Sequence, residues 1–187
     1  RKIAIMIRKL IYIPNGIMVP EIHVMLSLTQ NLIDDKKNKV RIITCGGDKD
    51  FACSKNVFAI KEICKACVMQ RKKAISTLKG NFEVIEIKKK IKKKFQFNFK
   101  NVKNLYYEKM DFGLGVYSSY TNTTRDSELD GKLAKKSTSL LFNTSTEIFH
   151  FFKEHLKTNK YDEIITFNSR MNERRPLFRF ANKKKLK

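Results

Sequence analysis

A chain of 187 residues that is 42% hydrophobic can bury roughly 70% of the surface its unfolded form exposes, which suits one domain rather than two. Forty Lys and Arg against eighteen Asp and Glu give a net charge of +22; that field draws phosphates, nucleic acids or anionic headgroups, but a Lys-rich mixture with abundant Asn, Ile and Phe also follows from A/T codon bias, so bulk charge names no partner. No apolar run approaches the roughly 20 residues of a membrane span, and residues 3–13 are broken by Arg8 and Lys9 and lack a signal-peptide cleavage site, so the expected location is cytoplasmic.

In chain order, residues 9–13 (KLIYI) form a β-branched and aromatic run that stops at Pro14-Asn15-Gly16, the signature of a buried strand and a loop. From Pro20, apolar residues at 22, 25, 26, 32 and 33 repeat at helical spacing and should end near residues 34–38. A second strand is expected at 40–45 (VRIITC), stopped by Gly46-Gly47. Strand, helix and strand with short connections make a βαβ unit and hence a parallel sheet. The alternation recurs: helical periodicity at 57–78, interrupted around a cysteine pair, and a third strand at 82–87 (FEVIEI). The charge run at 88–94 reads as a solvated face. Residues 101–110 read as a helix, and residues 111–131, rich in Gly, Ser, Thr and Asp, as a long loop. Thr144-Ser145-Thr146-Glu147 has the pattern of a capping box that opens a helix. A fourth strand at 161–167 then leads into an Arg-rich segment and a last helix through about Lys183. The expected fold class is therefore α/β, a Rossmann-like parallel sheet with helices on both faces, filling residues 1–187 as a single domain.

Ligands of open parallel sheets bind beyond the carboxyl ends of the strands, where the loops at 15–21 and 46–48, the region after the third strand and the loop at 168–175 should meet. The last, NSRMNERR, is the most informative. Pro176 lacks an N–H and is comfortable only in a first helical turn, so the helix begins at 172–175. Arg174 and Arg175 then stand where the helix dipole disfavours cations by roughly 0.3–1 kcal/mol each. A bound phosphate or carboxylate, met also by Asn168 and Arg170, would offset this; side chains splayed into solvent or paired with Glu173 and Asp162 would do so too. Four of the nine arginines fall at 170–179.

Gly113-Leu114-Gly115, Ser118-Ser119 and Arg125 offer flexible backbone, hydroxyls and one cation, without the spacing of a P-loop or dinucleotide fingerprint; a polar surface loop is the plainer reading. His23, one turn into the first helix, is a candidate base or an exposed histidine. Cys45, Cys53, Cys64 and Cys67 fall within 23 residues. The C-x-x-C pair is half of a zinc-site spacing that the other two could complete, and isolated buried thiols are the other reading.

Together the P-x-x-H helix start at Pro20 to His23, the strand end IITCGG, the C-x-x-C pair, GLGVYSS and, above all, FNSRMNERRPLFR resemble the N-terminal half of bacterial two-domain GT-B glycosyltransferases of capsule, lipopolysaccharide or other surface-glycan synthesis. The last motif is similar to an F-N-G-R pattern followed by an Arg-bearing helix, with Ser169 in place of Gly. The resemblance implies an acceptor-side domain whose donor-side partner lies in a further domain of a longer protein, and which is inactive alone. It implies a nucleotide-sugar donor held mainly by that second domain, a glycan or lipid-linked acceptor, a peripheral position at the inner membrane face, and no cofactor for catalysis. Glu21 or His23 would be the base; Asn15, Gly16, Gly113, Ser118, Ser119, Arg125, Asn168, Arg170, Arg174 and Arg175 would hold substrate or phosphate.

The competing expectation is a nucleic-acid-binding module or a non-catalytic binding subunit, drawn from the charge and from aromatics interleaved with lysines at 92–100. Dispersed basic residues and the lack of a recognised RNA- or DNA-binding motif weigh against it.

Overall fold

The computed structural model describes residues 6–17, 19–47, 51–88, 99–129 and 131–186. The lysine run beyond Lys88, the aromatic–lysine stretch at 92–98 and Asp48 lie outside the described residues. Four parallel strands make the sheet: β1 (Ile7–Ile13), β2 (Asn38–Cys45), β3 (Phe82–Ile87) and β4 (Glu163–Thr166), in the order β3-β2-β1-β4. Chain order runs outward from β1 to β3 and then returns to the other side of β1. The topological switch point, where such sheets open a crevice, therefore lies between β1 and β4.

β1 is buried on both faces, which is why it reads as an unbroken apolar run. Its alternate residues feed two cores. Ile11 and Ile13, with Val40 and Ile42 of β2, pack against Ile22, Met25 and Leu26 of α1 (Val19–Asp34) and Ile75 of α2 (Lys61–Ile75). Leu10, Tyr12 and Ile43 face the other way, against Ile148 and Phe152 of α4 (Lys132–Thr158) and Leu177 of α5 (Arg175–Lys183). The result is three layers with helices on both faces. Lys9, buried mid-strand, is matched by Glu163 directly across on β4 at 2.5 Å.

Four stretches differ from the sequence reading. The capping-box residues 144–147 do not start a helix: α4 runs unbroken through them, because an apolar stripe (Ala134, Leu141, Phe142, Ile148, Phe149, Phe152) continues across the site. Their hydroxyls serve other partners. Thr144 Oγ1 accepts from the Ala52 N–H at 2.9 Å, and Ser145 Oγ donates to the Leu141 and Asn172 carbonyls at 3.1 Å.

The expected loop at 111–131 is mostly a helix, α3 (Phe112–Thr124). Gly113 and Gly115 are there for close approach: a Cβ on Gly113 would stand 2.0 Å from the Val102 carbonyl oxygen, and one on Gly115 3.0 Å from Arg175 Cδ. Residues 101–110, expected as a helix, are the end of a kinked 3-10 segment (Phe99–Asn104) and a turn bridged between Tyr107 and Met110. Finally, the cysteine pair does not interrupt helical structure but sits inside α2.

Candidate functional site

β4 ends at Thr166 and the chain reaches α5 through residues 167–174. Asn168 takes a left-handed φ of 51° while its Oδ1 accepts from the Arg170 N–H at 2.8 Å, an Asx-type turn that sets the direction of the loop. Asn168 and Arg170 stay exposed, whereas Met171, Asn172, Glu173 and Arg174 are buried. Asn172 is held by the Ala52 and Leu141 carbonyls (3.2 and 3.1 Å) and donates its main-chain N–H to Ser119 Oγ (2.9 Å).

Three of the four arginines at 170–179 face anions, and those anions belong to the chain itself. Arg174, 3% exposed, forms an ion pair through Nη2 with Glu21 Oε1 at the start of α1, and its Nη1 lies 3.9 Å from Glu173 Oε1. Arg175 and Arg179 both clasp Asp111, the residue preceding α3, with Arg175 Nη2 to Oδ2 at 2.6 Å and Arg179 Nε to Oδ1 at 2.6 Å. Asp162 instead accepts the Arg8 main-chain N–H at 2.7 Å. The helix-dipole penalty is thus offset by carboxylates brought in from α1 and from the α3 entry.

Glu173 is the hub. Its carboxylate accepts from Asn15 Nδ2 (3.0 Å), Ser54 Oγ (2.7 Å) and the Ser54 N–H (3.1 Å), and its main-chain carbonyl accepts from Tyr12 OH (3.0 Å). The ends of β1, the loop after β2 and the entry to α5 are thereby locked together at the switch point.

Two atoms of this network stay unmatched among the described residues: Glu21 Oε2 and Arg174 Nε are buried without a hydrogen-bond partner. Both residues line a small cavity with Tyr12, Asn15, Phe167 and Met25, whose free volume of about 10 Å³ is at the lower limit for one water. Burial lifts the Glu21 carboxyl above its ordinary value, with Arg174 pulling the other way. Burial also pushes the Asp111 carboxyl up, but the hydrogen bonds of Arg175 and Arg179 outweigh it and hold Asp111 below the usual range.

The remaining candidates are spread over several elements. Asn15 and Gly16 are buried at the end of β1, and His23 is exposed on α1. Gly113, Ser118 and Ser119 lie within α3, which packs on the Arg-bearing segment from behind; Ser119 is engaged with Asn172, Ser118 is half-buried, and Arg125 is the exposed left-handed cap of α3 with φ 61°. His150 and His155 are engaged by the Tyr107 and Tyr161 hydroxyls at 2.6 and 2.7 Å.

Cys45, Cys53, Cys64 and Cys67 all line one cavity between β1, β2 and α2. All four are free thiols, and among the described residues no group of three or more Cys, His, Asp or Glu has the arrangement of a metal site as placed.

Sequence reasoning overlooked Tyr12, Ser54 and Asp111 in this region, and also Arg71, which is 1% exposed and donates to the carbonyls of Pro14 (2.9 Å) and Cys45. Arg71 stands one helical turn beyond Cys67, a spacing legible in the sequence. Asp111 and Ser54 gave no local signal. No family model, curated protein or solved structure matches this chain.

Proposed function

We propose that this domain is the acceptor side of a GT-B type glycosyltransferase, which moves a sugar from a nucleotide-sugar donor to a lipid-linked or polysaccharide acceptor of a surface glycan. The observation that carries the reading is the half-satisfied carboxylate of Glu21: buried at the β1/β4 switch point, raised in pKa, bonded to Arg174 through one oxygen and unmatched at the other. A carboxylate in that state accepts a proton from a hydroxyl that reaches it. The cavity beside it admits one hydroxyl-sized group, which fits the reacting OH of a sugar.

In this mechanism Glu21 Oε2 takes the proton of the acceptor hydroxyl as its oxygen attacks the anomeric carbon of the donor. Arg174 holds Glu21 in place, and Glu173 holds Arg174. His23, exposed on α1, is not the base. Counting Glu21, Glu173 and Arg174, the cluster carries a net −1, so it repels the donor's diphosphate rather than binding it. The cation for that leaving group is Arg170, exposed on the neighbouring turn and without an acidic partner among the described residues. The nucleotide-sugar is held mainly by a second domain. No helix among the described residues is long and apolar enough to cross a membrane, and the excess of cations favours an anionic membrane surface by roughly 1 kcal/mol per adjacent Lys or Arg.

The test is sugar transfer by the native protein that carries this chain, from a panel of nucleotide-sugars to detergent-solubilised lipid extract. Glu21→Gln should lower kcat by about 10²-fold or more, the scale of general-base catalysis, and Arg170→Ala should lower kcat/KM with the fold intact. Unchanged turnover in Glu21→Gln, or no transfer by the unaltered protein from any donor, overturns the reading.

A further inference from the structure

The cavity between β1, β2 and α2 has no part in the sugar-transfer proposal and is built from different chemistry. Cys45 closes β2, Cys53 lies in the loop that follows, and Cys64 and Cys67 stand three apart in α2; all four line the cavity with Pro14, Asn56, Lys55 and Arg71. Its free volume is about 20 Å³, room for one ion or water but not for an organic ligand.

Three of the four sulfurs have an N–H aimed at them. Gly47 N donates to Cys45 Sγ at 3.3 Å, Asn56 Nδ2 to Cys64 Sγ at 3.1 Å and Gly16 N to Cys67 Sγ at 3.1 Å. A neutral thiol is a weak acceptor, so donors on three of the four sulfurs suit thiolates, although Cys64 Sγ also lies 3.9 Å from the Phe51 carbonyl, to which it donates as a thiol. Arg71 supplies the second observation. It is wholly buried, its guanidinium meets two carbonyls, and no carboxylate among the described residues pairs with it. A buried cation without a counter-charge is strongly unfavourable.

We propose that Cys45, Cys53, Cys64 and Cys67 bind one thiophilic divalent metal ion, zinc in class, with Arg71 and Lys55 as its counter-cations. The ion displaces four thiol protons to solvent and forms four metal–sulfur bonds, with no change of oxidation state. The resulting complex carries −2, which Arg71 and Lys55 balance.

Without metal, burial lifts the Cys45 thiol to about 12 and raises those of Cys53 and Cys64, so these groups remain protonated and are poor nucleophiles or disulfide formers at neutral pH. As placed, no group of three or more Cys, His, Asp or Glu among the described residues could hold a metal ion; binding requires the sulfurs to rotate from their N–H donors into the cavity that they already line. The site would tie the loop after β1 to α2, because Gly16 and Pro14 contact Cys67 and Arg71.

The experiment is titration of the reduced, EDTA-treated protein with Co²⁺ as an optical probe, followed by back-titration with Zn²⁺. Expected are saturation at one equivalent, a sulfur-to-cobalt charge-transfer band with the d–d intensity of tetrahedral coordination, release of protons, and displacement by Zn²⁺. Cys64→Ser and Cys67→Ser should each weaken binding by at least about 100-fold, and Tm of the unaltered protein should rise with Zn²⁺ relative to EDTA. Each variant is also melted in EDTA: a variant that melts with the metal-free parent is folded, and its lost band then supports the site. The absence of a charge-transfer band in the folded parent, or folded cysteine variants that bind Co²⁺ unchanged, overturns the proposal.

Discussion

The carboxyl edge of the sheet carries two cavities on either side of the β1 end, and they are built on opposite electrostatic plans. Between β1 and β4 the lining is ionised and nearly self-satisfied in hydrogen bonds: two carboxylates, one guanidinium, an amide and two hydroxyls engage one another, carry a net −1 and leave two atoms over. Between β1 and β2 the lining is neutral sulfur around a single buried cation. The first plan has little need of an ion from outside and leaves one carboxylate oxygen open to a hydroxyl. The second leaves a charge uncompensated and suits an ion-binding role. Both rest on Pro14 to Gly16, the loop that leaves β1, so a short stretch of backbone positions two different chemistries.

The contrast is broken most severely at Arg174. Arg174→Ala strands Glu21 and Glu173 as buried charges, and urea unfolding should show a loss of about 3–5 kcal/mol, the cost of removing one partner of a buried pair. A loss below about 1 kcal/mol would mean that the switch-point network is not closed to water.

Gly16→Ala strikes the boundary between the two cavities. The added Cβ would sit 2.3 Å from the Cys67 carbonyl oxygen and 2.7 Å from Arg71 Cβ, so thermal melting should show about 1–3 kcal/mol of destabilisation from overpacking. Its methyl presses on the thiol side, so any metal affinity should fall more than the Glu21 site is disturbed.

The smallest effect is the pH dependence of the carboxylates, and it separates them by sign. Asp111 has a lowered folded pKa, so in the window below the ordinary carboxylate value the unfolded chain holds more protons; its contribution is present above that window and lost as pH falls through the folded pKa. Glu21 has a raised folded pKa, so between the ordinary and folded values the native chain holds more protons, and stability declines as pH rises through that window. Asp111→Asn should therefore flatten the acid limb of a stability–pH curve, at a cost of about 1 kcal/mol near neutrality given the partial exposure of Arg179. Glu21→Gln should remove a slope of the opposite sign. Equal acid limbs in the parent and Asp111→Asn would show that the Arg175–Asp111–Arg179 clasp does not contribute.

Much of the scaffold was legible because parallel strands buried on both faces must be continuous apolar runs. KLIYI and VRIITC are such runs, while FEVIEI, on the sheet edge, mixes apolar residues with two glutamates; all three lie in strands. Pro176 marked the start of α5 through its missing N–H, within a residue or two. Local rules misled where a tertiary surface overrode them. Residues 144–147 match a capping pattern, yet their hydroxyls bond to Ala52 and Asn172 while the helix continues. Residues 112–124 look like a loop by composition, yet their glycines allow α3 to lie against Val102 and Arg175.

The same division governs the candidate site. By itself the sequence determined the α/β alternation, the carboxyl-edge loops, the crowding of arginines before α5 and the clustering of four cysteines, because each depends on residues close together in the chain. Only the tertiary structure decided what those arginines face. Asp111 is 64 positions from Arg175, and Asn15 is 158 from Glu173, so no local spacing records either contact. A counter-charge acts through space at a few ångströms and in a desolvated setting, and neither its distance nor its burial exists until the chain has folded.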